Sequence, residues 1–142
     1  MMTTQPLNLE QAWQQALAAF SKHIAGLTTQ RLASLRIATL GPADTPSANT
    51  AAALLAAIAP RKNHLHECVL CPSYERAFAS MLMGESDLLL VDNAYEGAHV
   101  FYRSPRACLL LSFMQDLPRE AGKRKSPFVP RTSWSLFAPI KI

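Results

Sequence analysis

The sequence predicts an α/β domain in which helices cover the faces of a mostly parallel β-sheet. The first observation is the order of the patterns, because short apolar runs alternate with helical patterns as βαβαβ and are followed by further strands. The second is the run at residues 88–91, which is apolar throughout, as in strands buried on both faces of a parallel sheet. The third is the length of 142 residues, which is enough for one domain with a core that needs no disulfide or metal.

The first predicted element is an amphipathic helix. Asn8 is a capping residue with Gln11 at the reciprocal position of a capping box, and apolar residues recur at helical spacing from Leu9 to Leu27. Such a stripe covers either the core of its own domain or a partner subunit, and the core is the more common outcome. We therefore expect residues 1–34 to form a helical extension ahead of an α/β unit at 35–142.

The α/β unit begins with alternating strands and helices, which Pro60 and Gly84 help to delimit. Its predicted elements, in chain order, are a strand at 35–40, a helix at 48–59, a strand at 65–70, a helix at 72–82, and strands at 88–91, 100–102, 107–113 and 134–137.

Two polar turns follow strands at the same predicted edge of the sheet. Residues 41–47 follow the first strand, and residues 92–97 follow the third. In open α/β sheets, ligands bind beyond the carboxyl ends of the strands. The first turn also leads into a helix, whose N–H groups and dipole favour an anion, and it carries the hydroxyls of Thr45 and Ser47. From the spacing alone, a plain N-cap is the more common role for Ser47.

The sequence of these turns resembles the prephenate dehydratase family. The segment IATLGPADTPS at residues 37–47 is similar to the family's opening "LGPEGT-S". The segment ESDLLLVDNAYEGAHVFYRSP at 85–105 resembles the family's "aD…vvPieNs..G", and is closer to the "VPHAYDGIKHFY" form of the prephenate decarboxylases of the bacilysin-pathway type. The segment SWSLF at 133–137 is similar to the ending of those decarboxylases.

The resemblance implies a lobe of the periplasmic-binding-protein-like (type 2) fold with prephenate, a small dicarboxylate, as substrate. It further implies non-aromatising decarboxylation to a dihydro-hydroxyphenylpyruvate, used in the biosynthesis of an unusual amino acid or antibiotic, with no metal or organic cofactor. The Thr-Arg-Phe motif of the dehydratases does not occur in the chain, which argues against dehydratase activity. The alternatives are a non-catalytic descendant that binds a small carboxylate or a protein, and a related lyase or isomerase.

The resemblance also assigns roles to residues of both turns. The substrate-binding residues that it implies are Gly41, Pro42, Thr45, Ser47, Ala94 and Tyr95, to which we add Asn93 on the same turn and Arg103, or alternatively Arg106, for its positive charge. The residues expected to shape the reaction or donate the proton are Glu96, His99 and Tyr102. Asn93 stands where the decarboxylases have histidine, and Glu96 stands where they have aspartate.

The largest departure from the family is the second lobe. Family members carry it between the strand at 107–113 and the final SWSLF, whereas here only residues 114–132 intervene. A βαβ unit takes about 30 residues or more, so this segment predicts a basic linker in place of a lobe. A half cleft excludes water poorly. We therefore expect a homo-oligomer that completes the cleft, with the N-terminal helix or the linker at its interface.

Composition limits the other classes of function. Five of the fourteen basic residues lie between Arg119 and Arg131, a charge run typical of a solvated loop rather than of a nucleic-acid site. The chain lacks an apolar run that spans a membrane and a signal-peptide pattern, so we expect no membrane partner and a cytoplasmic location. Zinc or redox chemistry at His64, His66, Cys68 and Cys71 stays a minor alternative, because strand alternation sends Cys71 to the opposite face.

Overall fold

A mixed β-sheet between two layers of helices organises the fold. The computed structural model describes residues 9–20, 22–24, 32, 34–58, 66–116 and 131–140. The helices are α1 (Leu9–Phe20), α2 (Pro46–Ile58), α3 (Tyr74–Leu82) and α4 (Ala98–Arg103). The strands are β1 (Arg36–Leu40), β2 (Glu67–Cys71), β3 (Leu88–Asp92), β4 (Ala107–Asp116) and β5 (Arg131–Pro139).

Over the described residues, the sheet has five strands in the order β2-β1-β3-β5-β4. β1 pairs in parallel with β2 and β3, whereas β5 is antiparallel to both β3 and β4. The prediction of a mostly parallel sheet is therefore wrong in its second half. Parallel neighbours need a crossover, which α2 and α3 provide, but β5 lies directly beside β4 and runs back along it.

Each face of the sheet carries its own hydrophobic core. On one face, Trp13 of α1 and Leu54 of α2 pack with Trp134 of β5. On the other face, Met81 of α3 and Phe101 of α4 pack against the sheet. The four residues at 88–91 alternate between the two cores and are each 0% exposed, which confirms that this strand is buried on both faces.

Helix α1 packs on the core of its own domain, as its apolar stripe predicts. Trp13 is 3% exposed and belongs to the same cluster as residues of α2 and the sheet. The helix is shorter than its predicted stripe, because it ends at Phe20 and Ile24 instead forms an antiparallel bridge with Ile140. Leu27 lies outside the described residues.

The strand predicted at 100–102 is wrong, because these residues lie in α4. Ala98 and Phe101 are its buried residues, and their spacing of three is helical. A short apolar run does not by itself distinguish a strand from a helix.

The segment predicted as a basic linker at 114–132 is partly strand. β4 continues to Asp116 and β5 begins at Arg131, and these two residues are register partners. The cluster of basic residues at 119–125 lies outside the described residues, as does Pro60. Among the described residues, the helices fall short of the length and apolar character that crossing a membrane requires.

Candidate functional site

The turn after β1 leads into α2 through a capped helix start. The Thr45 hydroxyl donates to the carbonyl of Pro42 at 2.8 Å and accepts from the N–H of Ala48 at 3.3 Å. Pro46 fills the first helical position, where a missing N–H costs nothing. Thr45 rather than Ser47 is therefore the N-cap. Thr45 is also only partly buried, so its side chain reaches the surface of this turn.

Gly41 and Pro42 lie against the end of β2. The N–H of Gly41 donates to the carbonyl of Cys71 at 2.8 Å. A Cβ added to Gly41 would lie 3.0 Å from the Cβ of Leu70, so a larger residue would separate the two strand ends. The turn is thus held close to its neighbour in the sheet.

Tyr74 joins the turn after β1 to the end of β3. Its hydroxyl lies 2.5 Å from the Ser47 hydroxyl, and the N–H of Asp92 donates to it at 3.4 Å. Ser47 and Tyr74 are 5% and 4% exposed, so this bond is buried. Burial raises the pKa of Tyr74, against the opposing effect of the two hydrogen bonds.

A second set of hydrogen bonds, which we term the hydroxyl cluster, lies beside the first. Asn93 Oδ1 accepts from the hydroxyls of Tyr102 and Ser135, each at 2.7 Å, and Asn93 Nδ2 donates to Ser133 Oγ at 2.7 Å. The Ser135 hydroxyl also contacts the Tyr102 hydroxyl and lies 3.0 Å from Ser112 Oγ. The cluster consists of Asn93, Tyr102, Ser112, Ser133 and Ser135.

Tyr95 lies beside Tyr74 of the first set. Its hydroxyl donates to the Glu75 carboxylate, and its ring centroid lies 4.9 Å from that of Tyr74. The hydrogen bond to Glu75 is the main reason that the pKa of Tyr95 is raised. The turn itself is fixed by Asp92 Oδ1, which accepts from the N–H of Ala94 at 2.9 Å.

The remaining predicted site residues are exposed. His99 Nδ1 lies 3.1 Å from the carbonyl oxygen of Glu96, which joins ring to backbone rather than to the carboxylate. Across the part of the chain that the structure describes, no hydrogen bond or ion pair joins Glu96, His99 or Arg103 to the hydroxyl cluster. By helical spacing, His99 and Arg103 share a side of α4 with Tyr102.

The cysteines of β2 lie on opposite sides of the sheet. Cys68 packs against the core that contains α1 and α2, whereas Cys71 belongs to the other core. The sheet therefore separates the two thiols, and burial raises the pKa of each. His64 lies outside the described residues, within which no group of three or more potential metal ligands occurs.

Three residues of this region are not predicted from the sequence. Tyr74 has the ordinary pattern of a core residue that follows the Ser73 cap of α3. Ser112 and Ser135 are small polar residues of strands, and Ser135 alternates with the buried Trp134 and Leu136. That alternation is the one available signal, since it places Ser135 on the face opposite those two side chains.

Comparison of the chain with models of protein families, with curated proteins and with solved structures gives no match.

Proposed function

We propose that the chain is a lyase of the prephenate decarboxylase type, which releases carbon dioxide from prephenate and leaves its ring non-aromatic. One observation carries the proposal: the three sequence blocks of the resemblance are bonded to one another. Tyr74 links Ser47 of the first block to Asp92 of the second. Asn93 and Tyr102 of the second block form hydrogen bonds with Ser135 of the third.

The fold part of the proposal is a type 2 periplasmic-binding-protein-like lobe without its companion lobe. A two-lobed chain leaves its first lobe through one strand and returns through another. Here β4 and β5 are neighbouring antiparallel strands whose pairing runs from Ala107 with Pro139 to Asp116 with Arg131. This arrangement supports the proposal, because a lobe between those strands can be lost without reordering the sheet.

The start of α2 is the proposed site for a substrate carboxylate. Thr45 contributes a partly exposed hydroxyl, and the helix contributes the positive end of its dipole, while the N–H groups of Ala48 and Asn49 are already bonded to Thr45. Gly41 and Pro42 shape the turn, and Ser47 acts through its bond to Tyr74. Ala94, Tyr95 and Arg103 line the other side in this proposal, where the Arg103 guanidinium adds positive charge.

Tyr102 is the proposed proton donor. It is the only one of the three candidates Glu96, His99 and Tyr102 whose side chain is held within the hydroxyl cluster, as far as the described residues extend. A donor held at one position is more effective than one on a freely rotating side chain. Glu96 and His99 stay candidates for contacts with substrate on the same turn.

A second subunit closes the cleft in this proposal, because the carboxylate site and the hydroxyl cluster open to solvent on a single lobe. We expect a homo-oligomer in the cytoplasm. Light scattering on active protein measures the mass directly, and a fully active monomer would exclude the shared cleft.

The test is incubation of the purified protein with prephenate, followed by measurement of carbon dioxide and of the ultraviolet spectrum of the product. A non-aromatic product is expected, whereas phenylpyruvate would indicate dehydratase chemistry. A Tyr102→Phe variant is expected to bind prephenate and to lose most turnover. The absence of both turnover and a thermal shift on addition of prephenate would exclude the proposal.

A non-catalytic carboxylate-binding protein is the second candidate. The observation in its favour is that Glu96 and His99 are exposed and stand outside the hydroxyl cluster. Calorimetry distinguishes it, since it predicts saturable binding of prephenate or a simpler dicarboxylate without release of carbon dioxide.

A further inference from the structure

We infer that Ser135 is a positioning residue that orients the Tyr102 hydroxyl and donates a hydrogen bond to it once Tyr102 has released its proton. The inference rests on the proposed decarboxylation and names a residue that the resemblance does not assign. It follows from the burial of Ser135, its three oxygen neighbours and the number of protons that they share.

Ser135 is enclosed, whereas its partners reach the surface. It is 0% exposed, and Tyr102 is 45% exposed. Ser112, which lies opposite Ser135 in the register of β4 and β5, is exposed as well. Ser135 is therefore placed behind Tyr102, where it contacts the phenol oxygen without reaching a ligand in the cleft.

The cluster has one acceptor that carries no proton. Asn93 Oδ1 only accepts, and the hydroxyls of Tyr102 and Ser135 both donate to it in the resting arrangement. Either hydroxyl can donate in the contact between Ser112 and Ser135, and with the Ser135 proton directed at Asn93 the donor is Ser112. The Tyr102 and Ser135 oxygens are also in contact, and either hydroxyl can be the donor there, so two protons are shared among three oxygen pairs.

Loss of the Tyr102 proton leaves the Ser135 proton to choose between Asn93 Oδ1 and the Tyr102 oxygen. In the proposed reaction, the bond between the ring carbon and the carboxyl group breaks, and its electron pair forms a new double bond in the ring. The far carbon of the original double bond takes the proton of Tyr102. A dianion and a proton thereby become carbon dioxide and a monoanion, and Tyr102 becomes a phenolate.

The Ser135 proton then turns from Asn93 to the phenolate oxygen. A hydrogen bond to a charged oxygen is stronger than one to an amide oxygen, so this rotation is favourable. The bond that Ser135 accepts from Ser112 strengthens it further. After the product leaves, solvent returns the proton to the half-exposed Tyr102.

Substitution kinetics test the role of Ser135. Removal of one donor to a developing oxyanion costs about 10²-fold in kcat, and we expect a loss of that order for Ser135→Ala, with KM changed by less than about twofold. Ser112→Ala, at an exposed position, is expected to lower kcat severalfold without risk to folding. Ser135→Thr retains the hydroxyl and should recover most of the activity.

Ser80→Ala is the matched control. Ser80 is a buried serine 5% exposed, and its hydroxyl bonds to that of Ser86 at 3.2 Å, away from the hydroxyl cluster. The Ser80→Ala substitution breaks this buried hydrogen bond between two hydroxyls and is expected to leave kcat unchanged. If Ser135→Ala and Ser112→Ala match Ser80→Ala in kcat, the inference is wrong.

A second measurement does not depend on turnover. The chain has three tyrosines, so incorporation of 3-fluorotyrosine gives three fluorine resonances that Tyr→Phe variants assign. Ser135→Ala is expected to shift the Tyr102 resonance and Ser80→Ala to leave it in place. An unmoved Tyr102 resonance would overturn the positioning role. If Ser135→Ala shifts the Tyr102 resonance but the wild-type protein shows no turnover of prephenate, the proposed function and the proton step are wrong, and only the positioning of Tyr102 by Ser135 stands.

Discussion

The Tyr74 hydroxyl lies 2.5 Å from the Ser47 hydroxyl, and this single buried bond connects the starts of α2 and α3. The N–H of Asp92 reaches the same phenol oxygen from β3. One side chain thus fixes the spacing of the two polar turns on which the proposed site depends.

Replacement of Tyr74 by phenylalanine should loosen that spacing. The variant keeps the ring but leaves the buried Ser47 hydroxyl without its partner, which costs about 1 to 2 kcal/mol in free energy of unfolding. We also expect weaker binding of prephenate, because the turn after β1, where we propose that the carboxylate binds, is no longer tied to β3. Urea unfolding and calorimetry measure the two effects.

The control for Tyr74→Phe is again Ser80→Ala, which removes a buried hydroxyl bond from the same helix. Its stability loss should be comparable, and its affinity for prephenate unchanged. Equal affinity in the two variants would show that the bond is structural only.

The raised pKa of Tyr74 predicts a loss of stability at alkaline pH. Below about pH 10, the ordinary pKa of tyrosine, the phenol is protonated in both the folded and the unfolded chain. Above it the unfolded chain ionises first, because burial holds the proton on the folded one. The free energy of unfolding therefore falls as the pH rises through this range.

Unfolding in urea at a series of pH values from about 9 to 11 tests this dependence. The fall in the free energy of unfolding with rising pH should be shallower in Tyr74→Phe than in the wild type. Parallel curves for the two proteins would assign the alkaline loss to other groups, such as the half-buried thiol of Cys68.

Comparison of Thr45→Ala with Ser73→Ala separates the capping role of Thr45 from its proposed role in ligand binding. Loss of the cap costs about 1 kcal/mol in free energy of unfolding. Ser73→Ala removes the corresponding cap of α3, where Ser73 Oγ accepts from the N–H of Arg76 at 3.0 Å, and should cost about the same. Only Thr45→Ala is expected to weaken prephenate binding, and Thr45→Ser should restore it. A similar loss of affinity in Ser73→Ala would remove the specific role of Thr45.

Gly97→Ala should displace Tyr95. A Cβ at Gly97 would lie 2.7 to 2.9 Å from the Tyr95 ring and hydroxyl, although the backbone φ of −82° suits any residue. The ring must then move, and its bond to Glu75 is lost. The Tyr95 fluorine resonance in 3-fluorotyrosine-labelled protein reports this movement, and we expect weaker prephenate binding with it.

Gly84→Ala provides the contrast to Gly97→Ala. Gly84 has a φ of +81°, and a Cβ there meets nothing within 4 Å. Its cost is therefore backbone strain of about 1 kcal/mol, and Tyr95 should stay in place. If Gly84→Ala moves the Tyr95 resonance as far as Gly97→Ala does, contact with the ring is not the cause.

The sequence predicts the parallel half of the fold better than the antiparallel half. The runs that became β1 and β3 are short, apolar and followed by turn residues, so local pattern and tertiary environment agree. The direction of β5 depends on which strand it lies beside, and no local pattern specifies that. The same applies to α4, where burial of Ala98 and Phe101 decides between helix and strand.

The candidate site, too, can be predicted from the sequence only in part. Its backbone turns can be predicted, because Gly41, Pro42 and Gly97 are residues that turns favour. The hydrogen bonds that join the turns cannot be predicted from the sequence, since Tyr74 lies 27 residues from Ser47 and Ser135 lies 42 residues from Asn93. Partners this distant in the chain meet only when the sheet order is known.

The pairing of β4 with β5 has a consequence for evolution and for protein engineering. Asp116 and Arg131 face each other at the end of one ladder, so any chain that joins them starts and finishes at adjacent points. A whole domain can be gained, lost or exchanged there while every strand keeps its hydrogen-bonded neighbours. The same position is a natural point for grafting a foreign domain, such as a fluorescent reporter, onto this protein.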